Sequence, residues 1–139
     1  MRRILAGAGI IVVAILAGAG TRSVSAHDAA NKPEFYTEKV RPILVTNCGS
    51  CHFNMNHAGG LSMDTQAGMM KGGMDGAVIV AGDPANSLLV KLIRHEGPAD
   101  DPMPMPPRGA KLRDEDIDVV EQWVKAGAVM PPDPPPAAQ

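Results

Sequence analysis

Cys48-Gly49-Ser50-Cys51-His52 is the stretch around which the chain organises itself. Two thiols three residues apart on a helical turn can each form a thioether with a vinyl group of haem. A histidine directly after the second thiol then lies beneath the iron as proximal ligand. These are the only two cysteines in the 139 residues, so no other framework competes for them. A structural zinc site would want two more ligands at similar spacing, and a redox dithiol would want a βαβ setting. Neither is visible, and covalent haem c is the expected cofactor.

Upstream of the motif the chain reads as an export signal. Met1-Arg2-Arg3 is a basic head, residues 4–20 are apolar, and Val24-Ser25-Ala26 offers a small-residue cleavage site. Residues 1–26 are therefore expected to be removed. A retained anchor is the competing reading, but seventeen apolar residues with four glycines fall short of the roughly 20 a span needs. Any membrane association is expected only through that segment if it stays uncleaved. Haem c is normally attached outside the cytoplasmic membrane, which is knowledge of cytochromes and not of the spacing, so a periplasmic or otherwise external location is expected.

Without Arg2, Arg3 and Arg22, ten basic residues face fifteen acidic ones, a balance of −5. That argues against nucleic acid as a partner and favours redox proteins that dock through a basic patch. Four aromatic residues, Phe35, Tyr36, Phe53 and Trp123, are few for a small domain's core. A buried porphyrin would supply the missing flat apolar surface.

The rest of the chain reads as short helices and turns. Residues 33–47 form a helix leading into the motif, with Pro42 kinking it or starting a second segment. Residues 54–82 are glycine-rich and irregular, with one short helix over 65–71 and a brief β-like run over 77–80. Asp83 caps and Pro84 starts a helix that runs to Arg94 or His95. Residues 98–109 are Pro-rich and extended. Residues 114–126 form a helix with Ile117, Val120, Trp123 and Val124 inward and Gly127 as its stop. Residues 131–139 are expected to be a disordered or linker-like tail, leaving 27–130 as one domain.

The iron's second axial position decides the chemistry. Met105 is the first choice, because a thioether is a soft ligand and the flanking prolines would present it rigidly. Met103 shares its face in an extended segment and competes with it. His57 or His95 would instead give a bis-histidine site, and an open site is the remaining alternative.

Several stretches together resemble one family, the Planctomycete-type cytochrome c domain. They are Phe35, Val40 and Pro42-Ile43-Leu44 before the motif, then Gly59-Gly60-Leu61-Ser62-Met63-Asp64-Thr65. Gly72-Gly73, Gly76, Ile79-Val80, Gly82-Asp83-Pro84 and Ser87-Leu88-Leu89 follow. Met105-Pro106-Pro107, Leu112 and Trp123-Val124-Lys125-Ala126-Gly127-Ala128 complete the set. The resemblance spans residues 34–128. It implies an all-α, class I cytochrome c-like fold of three to five helices around one haem, with the first and last helices packed together. It also implies Met105 as sixth ligand, so that Cys48, Cys51, His52 and Met105 bind the cofactor and His52 and Met105 its iron. The family often has Ser or Thr where Arg113 stands, so the helix cap would fall to Asp114. The expected role is single-electron transfer without substrate chemistry. The rivals are a haem subunit of a dehydrogenase complex, a ligand-binding or catalytic domain with an open sixth site, and a haem-free dithiol oxidoreductase.

Overall fold

A computed structural model describes residues 29–97 and 103–135. The expected signal segment, its cleavage point and part of the Pro-rich stretch lie outside the described residues. Among those described, no strand forms and no helix is long and apolar enough to cross a membrane. The architecture is all-α, as expected.

The first helix, α1, is composite. Pro33–Phe35 is α-helical, Tyr36–Val40 is π-helical and Arg41–His52 is α-helical again, in one unbroken run. Pro33 sits in the first turn, where its missing N–H costs nothing. Pro42 falls in the first turn of the second α-helical segment, as one of its two expected roles. The turn ahead of it widens, with the Arg41 N–H donating to the Tyr36 carbonyl five residues back. That wide turn falls where the Pro42 ring would otherwise press on the carbonyl four residues upstream. Tyr36, Val40, Leu44, Cys48 and His52 form one buried stripe along α1.

Helix α2, Gln66–Lys71, begins at Thr65, whose Oγ1 accepts the Gly68 N–H at 3.0 Å. Residues 131–135, expected to belong to a linker-like tail, fold back onto its start. The Asp133 carboxylate accepts the N–H groups of Gln66 and Ala67, the latter at 2.9 Å.

The expected continuous helix from Pro84 is broken. Asp83 caps only one 3₁₀ turn, Pro84–Asn86, and Ser87 is extended before α3, Leu88–Ile93. The break has a cause in the fully buried Ser87, whose Oγ accepts the Val80 N–H at 2.8 Å. The Leu89 N–H donates to the Val78 carbonyl at 2.9 Å. The apolar run at 77–80 thus pairs with the start of α3, not with a strand.

Helix α4, Asp114–Lys125, buries Ile117, Val120, Trp123 and Val124, and Gly127 ends it at φ +106°. Asp114 is its first residue and not its cap. Arg113 holds the cap position without a capping hydrogen bond, and pairs instead with Asp116 at 2.9 Å. The first and last helices pack through the rings of Tyr36 and Trp123. An Arg94–Glu121 ion pair of 2.7 Å ties α3 to α4. Such a half-exposed pair contributes about 0–1 kcal/mol. Burial of Trp123 and its aliphatic neighbours, at about 1.5–3 kcal/mol each, is the stronger cement.

Candidate functional site

The end of α1 presents the three motif side chains together. Cys48 and Cys51 are free thiols one helical turn apart, Cys48 buried and Cys51 half-buried. Burial pushes the Cys48 thiol up to about 11, with the neighbouring Cys51 adding to the effect. Burial thus keeps the Cys48 thiol protonated at neutral pH.

His52 closes the helix and is buried. Its ring Nδ1 lies 3.4 Å from the Leu61 carbonyl oxygen. A carbonyl can only accept, so Nδ1 carries the proton and Nε2 presents its lone pair. Among the described residues no protein group bonds Nε2. The His52 carbonyl accepts the Met63 N–H at 2.8 Å, which folds the loop back onto the end of α1.

Asp64 is the knot of that loop. Its carboxylate accepts the Asn54 N–H at 2.9 Å and bonds His57 Nε2 at 3.1 Å and Ser62 Oγ at 3.4 Å. The Asn54 hydrogen bond, with help from His57 and Ser62, holds the Asp64 carboxyl below its ordinary range. His57 is thereby engaged by Asp64, and His95 lies exposed past the end of α3 at φ +60°.

Met105 sits on a different element. Its N–H donates to the Leu92 carbonyl at 3.1 Å, which hangs the 103–109 loop from the C-terminal end of α3. Its side chain is half-buried, whereas Met103 is 56% exposed.

The donor set therefore fits a haem c group: two free thiols on one turn and an imidazole with its iron-facing nitrogen open. Sequence reasoning missed the Leu61 carbonyl, the Asp64 knot and the Asp133 contact. The adjacent Asp64-Thr65 pair, both good capping residues, was the available signal for the knot.

A family model described as Planctomycete cytochrome C matches residues 48–109, from Cys48 through the Met105 loop. No curated protein and no solved structure matches the chain significantly.

Proposed function

On the premise that this chain carries a cytochrome c-type domain, we propose that it is an exported, single-haem electron carrier. The observation that carries the reading is the end of α1, where Cys48 and Cys51 flank one turn and His52 presents Nε2. In this role Cys48 and Cys51 would hold the porphyrin through thioethers, and His52 and Met105 would ligate its iron. When bound, the haem iron supplies a one-electron Fe(II)/Fe(III) couple.

The chain's own residues orient and shield. The Leu61 carbonyl fixes the His52 tautomer and raises the basicity of the ring. Leu92 restrains the Met105 backbone, and the half-burial of Met105 supports it over Met103 as ligand. Thioether and imidazole ligation together would favour the ferrous state and raise the potential. The role proposed for this arrangement is electron transfer, with no step assigned on a substrate. The basic head and apolar run at 1–20 support export to the periplasm or beyond. Redox proteins with a basic docking patch remain the fitting partners, and rising salt would weaken their association.

The test is the absorption spectrum of natively matured protein in both redox states, with its intact mass. The expected result is a c-type haem spectrum and a mass raised by one haem. A colourless protein at the mass of the bare polypeptide overturns the proposal. Rapid carbon monoxide binding to the reduced protein at neutral pH would favour the open-site rival.

A further inference from the structure

The orientation of His52 depends on one carbonyl, and that carbonyl belongs to a segment pressed from behind by a glycine. Resting on the haem reading above, we infer that Gly73 is a positioning residue for His52. It acts through the turn at residues 59–61.

A Cβ on Gly73 would stand 2.6 Å from the Gly59 carbonyl oxygen, 3.3 Å from Leu61 Cβ and 3.4 Å from the Leu61 nitrogen. The first distance is impossible without movement, and the three atoms met are backbone or Cβ atoms. The two segments are also bonded, since the Met74 N–H donates to the Gly59 carbonyl at 2.7 Å. The 73–76 turn is itself braced: Gly73 and Gly76 exchange N–H···O bonds of 3.0 and 3.1 Å. A methyl group at 73 must therefore displace the 59–61 segment.

That segment carries the Leu61 carbonyl on which His52 Nδ1 rests. At 3.4 Å the contact is already at the long end for a hydrogen bond, so a shift of a few tenths of an ångström removes it. An imidazole that donates from Nδ1 to a carbonyl is the stronger ligand to oxidised iron. Losing that bond weakens the donor and moves the reduction potential upward.

The experiment compares full-length, haem-loaded wild type with Gly73→Ala and Gly82→Ala. Gly82, unlike Gly73, is in the left-handed region, φ +85°, and has open space where its Cβ would go. Its substitution reproduces a generic loss of stability without touching Leu61. Gly73→Ala is expected to raise the midpoint potential and to speed solvent exchange of the His52 Nδ1 proton about five- to tenfold. Gly82→Ala is expected to leave both as in wild type. Unchanged values in Gly73→Ala, or equal changes in Gly82→Ala, overturn the inference. Should Gly73→Ala not mature, Gly60→Ala strains the same 59–61 turn from within, because residue 60 sits at φ +72°. It must then shift the potential the same way, and a wild-type potential in it also overturns the inference. A wild type without covalent haem is a separate outcome, which overturns the haem reading and this inference with it.

Discussion

The rings of Tyr36 and Trp123 meet with centroids 5.3 Å apart and planes inclined at 37°. This tilted contact joins the first helix to the last, and burial raises the pKa of the Tyr36 phenol. Trp123 also donates from Nε1 to the Val129 carbonyl at 2.8 Å, fixing the chain after α4. Trp123→Ala is expected to destabilise the fold by about 3–5 kcal/mol, read from denaturant unfolding. Tyr36→Phe, which keeps the ring, should cost far less.

Ser87→Ala deletes a hydroxyl that serves Val80 N–H and the carbonyls of Val80 and Asp83. The side chain is fully buried, so no water replaces it. A cost of about 1–3 kcal/mol is expected, because the Val80 N–H is left without a partner. A change within error in thermal unfolding would contradict this.

Asp133→Ala should loosen α2 at a distance of 67 positions along the chain. Removing a capping carboxylate costs about 1 kcal/mol. Amide exchange should accelerate across Gln66–Lys71 and stay unchanged in α4. A tail that is only a linker would give no change anywhere.

Asp64 gives the loop after His52 an acid limit. Its carboxyl is held below the ordinary value of about 3.9, so it binds fewer protons folded than unfolded. The stability it contributes is present above the unfolded value and is lost as pH falls through the folded one. Wild type should thus lose loop protection below about pH 4. Asp64→Asn should start lower and show a flatter acid limb, as followed by amide exchange of Asn54.

Met105→Ala is expected to abolish the long-wavelength sulfur-to-iron charge-transfer band of the oxidised protein, and Met103→Ala to leave it intact. The contrast follows from the half-buried, backbone-anchored Met105 against the 56% exposed Met103. The reverse pattern would reassign the ligand.

What local pattern encodes was legible before any coordinates. The pentapeptide, the stripe of α4, the Thr65 start of α2 and the Gly127 stop all depend on residues within one or two turns of each other. The rest depends on partners far apart in the chain. Nothing near Ser87 announces that its hydroxyl is needed by Val80, and nothing near Gln66 announces Asp133. Pro42 signalled an irregularity, but its form, a widened turn ahead of the ring, was one of several that would satisfy the same steric demand. The Leu61 carbonyl is backbone and so carries no residue signature at all.

The wide turn at Tyr36–Val40 behaves as a shim between two halves of one rod. Its first residue, Tyr36, faces Trp123, and the half after it carries the thiols and imidazole. Each α-helical residue rotates the rod by about 100°, so deleting one residue here would swing the halves against each other by that angle. Another side chain would then confront Trp123 while Cys48 and His52 kept their mutual spacing. Changes of length are thus tolerable in the exposed bend near Met55, which is 96% exposed, and ruinous four turns earlier.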